Sequence, residues 1–139
     1  MTAPRAVRSH HRGGVDDTLC LELSGGPDAA AHARRAISKL RADLDPPLME
    51  TMRLLVTELV SNSVRHAHAD ALTLRVAVGR ATVLTEVTDP GPGFDRTALA
   101  GPRSDMSGWG LFLVERLARR WGVSKDGDGT RVWFELRRG

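Results

Sequence analysis

Leucines at 19, 21 and 23 alternate with polar neighbours between Thr18 and Ser24, the period-two pattern of a strand with one buried face. Ser24-Gly25-Gly26-Pro27 interrupts it. From Asp28 to Leu44 the residues Ala33, Ile37, Leu40 and Leu44 fall at helical spacing. Asp45-Pro46-Pro47 stops this helix and opens another, because proline fits the first helical turn, where its missing N–H has no partner to lose. The second helix is expected over Leu48 to His66. Leu72, Leu74, Val76 and Val78 then alternate, Gly79-Arg80 makes a turn, and Val83, Thr85 and Val87 alternate again as the second arm of a hairpin. Pro90 to Ser107 is rich in Gly, Pro, Asp and Ser and reads as a long loop. A helix from about Trp109 to Arg120 is expected to bury Leu111, Val114, Leu117 and Trp121. Gly127-Asp128-Gly129 turns the chain into a last strand with Val132, Phe134 and Leu136 inward. Strands clustered in hairpins predict an α+β fold. It is a two-layer α/β sandwich, in which three helices cover one face of a mostly antiparallel, mixed sheet.

Composition narrows the picture. A chain of 139 residues with 41% hydrophobic content can bury one core, and at 4% aromatics that core must be aliphatic. No apolar run approaches the length of a membrane-spanning helix. Residues 1–17 carry Arg5, Arg8, His10, His11 and Arg12 without the apolar segment of a secretory signal. They are expected to form a disordered tail ahead of a domain spanning 18–139. Cys20 is the single cysteine, which excludes an internal disulfide and fits a reducing cytoplasm. The formal charge of +3 and the pI of about 10.0 invite a nucleic-acid reading. The arginines are scattered, however, and no basic run interleaves with aromatics as in a single-strand binder, so a solvated basic surface is the simpler account.

Four stretches carry candidate chemistry. On the second helix Asn62 falls between Leu55 and Leu59 in the apolar stripe, with Glu58 at its border. Four residues apart, Glu58 and Asn62 stand one above the other. A carboxylate beside an amide oxygen suits a magnesium–phosphate site, the amide as a hard ligand and the carboxylate as a base for a hydroxyl or water. The pair also fits a surface glutamate with a backbone-satisfied asparagine. In Thr88-Asp89-Pro90-Gly91-Pro92-Gly93-Phe94, strand parity turns Asp89 to the inward face, where a carboxylate needs a donor such as an adenine amino group. Gly91 and Gly93 would let a planar ligand approach; Asp89 capping a local turn is the alternative. Gly108-Trp109-Gly110-Leu111 places Gly-x-Gly at a helix start, a weak signal for an anion site by itself. Thr130 shares parity with Val132, Phe134 and Leu136, so its hydroxyl also points inward, beside a base or at the core edge.

Taken in order, a helical Glu-x-x-x-Asn, an Asp-x-Gly-x-Gly ending a strand, a loop, a Gly-x-Gly opening a helix and a Gly-Thr before the last strand resemble the GHKL superfamily. That superfamily has the Bergerat fold and includes gyrase B, the large heat-shock chaperones and the histidine kinases. The resemblance covers roughly Leu19 to Leu136 and is greatest to the anti-sigma-factor serine kinases, whose single domain begins with a strand and helix before the Asn-bearing helix. It implies ATP and Mg²⁺ as cofactors, with Glu58 as catalytic base, Asn62 as the magnesium ligand, and Arg65 and His66 completing the helix motif. It further implies that Asp89 accepts from the adenine amino group, that Gly91, Gly93 and Thr130 shape the base pocket, and that Gly108, Trp109, Gly110 and Leu111 hold phosphates. Phe94 to Ser107 would be the lid, with Arg103 a candidate phosphate contact. The implied activity is protein-serine/threonine kinase chemistry on an anti-sigma-factor antagonist, in a cytoplasmic homodimer that also binds a sigma factor but neither nucleic acid nor membrane. None of the histidines at 10, 11, 32, 66 and 68 sits in a phospho-acceptor helix, which argues against a histidine-kinase catalytic domain. A nucleotide-binding regulator with little or no kinase activity is the alternative.

Overall fold

The structure, a computed structural model, describes residues 6–7, 15–40, 43–66, 70–89, 109–126 and 129–138. Its elements in chain order are β1 (Ala6–Val7), β2 (Val15–Ser24), α1 (Ala29–Ser38), α2 (Pro46–His66), β3 (Ala71–Gly79), β4 (Thr82–Asp89), α3 (Trp109–Leu117), β5 (Arg120–Asp126) and β6 (Gly129–Arg137). The strands form one six-stranded sheet in the order β1-β2-β3-β4-β6-β5. Every pairing among them is antiparallel, and the fold is the expected α+β two-layer sandwich.

Alternation along each strand becomes rows across the sheet. Leu21, Leu74, Val87, Val132 and Val123 are successive partners across β2, β3, β4, β6 and β5. The next row is Leu19, Val76, Thr85, Phe134 and Trp121. Against these rows α1 buries Ala33 and Ile37, α2 buries Met52, Leu55, Val56 and Leu59, and α3 buries Val114. Each large aliphatic side chain sealed there contributes about 1.5–3 kcal/mol relative to exposure, so this layer holds the sandwich closed. The other face carries the half-buried Glu86, Arg131, Trp133 and Glu135. There Arg131 pairs with Glu86 at 3.2 Å and Arg120 with Glu135 at 3.1 Å. Trp133 lies over Gly122, where an added Cβ would stand 2.8 Å from its Nε1. No helix among the described residues is long and apolar enough to cross a membrane.

The helices depart from the sequence pattern at their ends. α1 stops at Ser38 instead of Leu44, its ladder tightening as the Lys39 and Leu40 N–H groups donate to the Ala36 and Ile37 carbonyls. Leu40 still reaches the core from that tightened turn. α2 takes in Pro46 and Pro47 at its start, as the missing N–H groups allow, and runs about 30 Å over its 21 residues. The β3–β4 turn falls at Arg80–Ala81, one residue later than expected. The helix expected to reach Arg120 ends at Leu117, and Leu117 is exposed rather than buried. Trp121 belongs to β5, where Trp121 and Val123 alternate inward against Gly122 and Ser124. The helix hands over to the sheet through the Arg119 N–H, which donates to the Glu135 carbonyl. The sheet also takes in residues expected to be tail. β1 pairs Ala6 with Leu21 and Val7 with Cys20, and β2 begins at Val15 with an irregularity before the buried Asp17.

A candidate nucleotide site at one end of the sheet

β4 ends on Asp89 and β6 starts at Gly129, so antiparallel register sets Asp89 directly opposite Thr130. Residues opposite one another share a face, with Cβ atoms about 5 Å apart. Both side chains are 1% exposed on the face that the helices cover. β4 can carry a carboxylate there because Val83 and Val87, at the same parity, anchor the strand to the core.

α2 packs on β4, β6 and α3. Asn62, 1% exposed, projects from its buried side, and half-buried Glu58 stands one turn earlier. Helical periodicity puts Thr51, Glu58 and Asn62 on one flank and Arg53, Thr57 and Val64 on the other. The second flank meets α1, since Arg34 Nη1 donates to Thr57 Oγ1 at 3.0 Å. The first meets α3, whose end at Leu117 and Ala118 adjoins Leu48 and Thr51. α3 therefore runs back along α2, and its first turn, Trp109, Gly110 and Leu111, points toward the half of α2 that holds Asn62.

Asn62 Nδ2, Thr130 Oγ1 and Thr85 Oγ1 are buried polar atoms with no hydrogen-bond partner among the described residues. An unsatisfied buried group costs about 1–3 kcal/mol. For Asn62 and Thr130, a ligand or water offering hydrogen-bonding oxygens and nitrogens would remove that cost. Thr85 is different. It stands four residues from Asp89, about 13 Å along the strand, inside an apolar row. Its parity with Val83 and Val87 signalled that it points inward, but nothing in the sequence signalled that its hydroxyl has no partner.

Leu48 and Thr51 adjoin Leu136 and Arg137 at the end of β6, so the other half of α2, with Glu58 and Asn62, lies toward the end of the sheet where Asp89 and Thr130 pair, as does the start of α3. Arg65 follows Glu58 by seven residues on the same stripe of α2, beyond Asn62 at the helix end. It is exposed and lines a groove of about 240 Å³ with Gly26, Pro27, Ala30, Ser61 and Val64, on the α1 side. His66 is the last residue of α2. Gly91, Gly93, Gly108, Arg103 and the expected lid, Phe94 to Ser107, lie outside the described residues.

No match is found among curated proteins. The family model of the histidine kinase-like ATPase domain matches residues 23–136, from the end of β2 to the end of β6, and so spans the paired Asp89 and Thr130, the Asn62 helix and α3. By that match the chain belongs to the histidine kinase-like ATPase domain family.

Proposed function

We propose that this ATP-binding domain is a protein-serine kinase of the anti-sigma-factor type, which phosphorylates a serine on an antagonist protein and otherwise holds a sigma factor. The single observation that carries the catalytic part is Glu58, a half-buried carboxylate one turn from the buried Asn62 and on the same flank of α2. A domain that only binds nucleotide has no need of a base at that position.

The chain's own residues fit the nucleotide and its metal. Thr130 Oγ1 and Asn62 Nδ2 are buried polar atoms that lack partners among the described residues, and adenine, phosphate oxygens and bound water all supply them. Asp89, opposite Thr130, accepts from the adenine amino group. The first N–H groups of α3 face phosphate oxygens with the favourable end of the helix dipole. Asn62 offers its amide oxygen to Mg²⁺, which when bound supplies charge neutralisation on the phosphates. Glu58 takes the serine hydroxyl proton as the serine oxygen bonds to the γ-phosphorus, and the bond to the β-phosphate oxygen breaks to leave ADP. Supplying a sigma factor, its antagonist and a second copy of this chain as partners is part of the same proposal.

The experiment pairs γ-labelled ATP and Mg²⁺ with purified antagonist-type proteins from neighbouring genes. Label is expected on a serine of one of them. Glu58→Gln keeps the side chain's shape but removes the base, so transfer should fall by roughly 10²–10⁴ while nucleotide binding stays near the parent's. Transfer by Glu58→Gln at the parental rate would make this carboxylate a bystander. No transfer to any protein would give the lead to a regulator that binds nucleotide without using it.

A further inference from the structure

The flank of α2 that carries Glu58 continues into a groove at the far end of the domain. Leu48 and Thr51 from the first turns of α2, Leu117 from the end of α3 and Leu136 from the end of β6 line a space of about 470 Å³. Its rim carries Arg119, Arg137 and Arg138 against the single carboxylate of Asp45. Leu117 is 45% exposed, and Leu54, 42% exposed, lies between Thr51 and Glu58 on the same stripe. They are the large apolar side chains left exposed among the described residues.

The rim is positive in net terms. Glu135 is shared by Arg119 at 3.9 Å and Arg120 at 3.1 Å, so one carboxylate serves two guanidinium groups. Arg138 donates to the Gly79 and Asp43 carbonyls. Arg137 is exposed and has no ion pair among the described residues. An apolar floor under a cationic rim matches a peptide that bears carboxylates and an aliphatic side chain. To a nucleic acid it offers charge alone, with no aromatic side chain on which a base could stack. The described part of the N-terminal segment, β1, is at the opposite edge of the sheet, about 19 Å from β6 at the usual strand spacing.

We propose that this groove docks an acidic, leucine-bearing segment of the protein substrate, whose chain then passes Leu54 to present its hydroxyl at Glu58. The second half of this rests on the kinase reading above. Thr51 and Glu58 are seven residues apart on α2, about 10 Å, so about three residues of extended chain bridge the groove to the base.

Fluorescence anisotropy with a labelled peptide of alternating glutamate and leucine tests the docking, beside a counterpart with lysine for each glutamate. The acidic peptide is expected to bind the intact protein, more weakly as salt rises, and the lysine peptide is not. Leu117→Asp and Arg137→Glu, both at exposed positions, should each weaken it by about tenfold, with the melting temperature and its rise on adding ATP unchanged. Equal affinity for the two peptides, or undiminished binding by Leu117→Asp, overturns the assignment. So does sedimentation in which Leu117→Asp converts a larger species to a smaller one, because a second copy would then fill the groove. The route past Leu54 is tested with peptides that carry a serine at increasing distance from the acidic segment. Transfer should peak at about three to five residues. A flat dependence overturns the route. Binding with no transfer at any spacing overturns the kinase reading and the route together, while the docking stands on the anisotropy.

Discussion

Thr85 and Thr130 are both sealed on the helix-covered face, and neither hydroxyl finds a partner among the described residues. Chemically they are the same defect; their positions separate them. Thr85 interrupts the apolar row from Leu19 to Trp121, so replacing its hydroxyl with a methyl should remove an unsatisfied group and add nothing foreign. Thr85→Val is expected to stabilise the nucleotide-free protein by about 1 kcal/mol, a rise of a few degrees in Tm, and to leave ATP affinity alone. Thr130→Val should stabilise the nucleotide-free protein similarly, but its hydroxyl faces Asp89 where the base is assigned. Loss of one hydrogen bond there weakens ATP by about fivefold, the equivalent of about 1 kcal/mol. Thermal melts and calorimetric titration of the two variants read both numbers. If Thr130→Val binds ATP as well as the parent, Thr130 is a core residue and the base pocket lies elsewhere.

α3 and β5 show where apolar spacing stops being decisive. Leu111, Val114, Leu117 and Trp121 fit a helical stripe, but Trp121 and Val123 also fit a strand, and Gly122 between them tolerates both readings. Pairing with β6 decides it, and β6 lies beyond the window in which that stripe is read. Val114 is then buried while Leu117 is left exposed at the groove. Val114→Ala should cost about 2 kcal/mol by leaving a void, and Leu117→Ala should stay within about 0.5 kcal/mol; urea melts of the two compare them directly. Equal losses would mean that Leu117 is packed after all. Elements with many repeats of their pattern were legible: α2, and the strands with three or four alternating aliphatics. So was the inward aim of Asp89 and Thr130, because strand parity needs only neighbouring residues. That these two meet was not, since register between β4 and β6 depends on forty residues of intervening chain whose length carries no pairing information. Nor was the place of Arg65, which follows Glu58 by seven residues on the same stripe of α2 yet lines the groove beside α1.

The domain as a unit is held by one apolar layer, and the ion pairs on its other face add little. Arg120 and Arg131 are well exposed in their pairs, and such pairs contribute about 0–1 kcal/mol each. Moderate salt should therefore move the Tm hardly at all, although it weakens peptide capture at the arginine rim. The strand order, which gathers β6, β5 and α3 at one edge, has a further consequence for light. Trp109 opens α3, Trp121 lies in β5 and Trp133 in β6, and the chain contains no tyrosine. All emission above about 300 nm on excitation of the indoles comes from that edge, whereas α1 and the strands β1 to β3 are dark. Emission is then a local gauge and far-ultraviolet dichroism a global one. Their urea transitions should superimpose if the sheet melts as one cooperative unit. An emission midpoint at lower urea would show the β5 edge detaching first. Because Trp109 begins the helix assigned to the phosphates, titration with ATP should change the emission without any added dye, and each tryptophan replaced singly by phenylalanine tells which indole is responding.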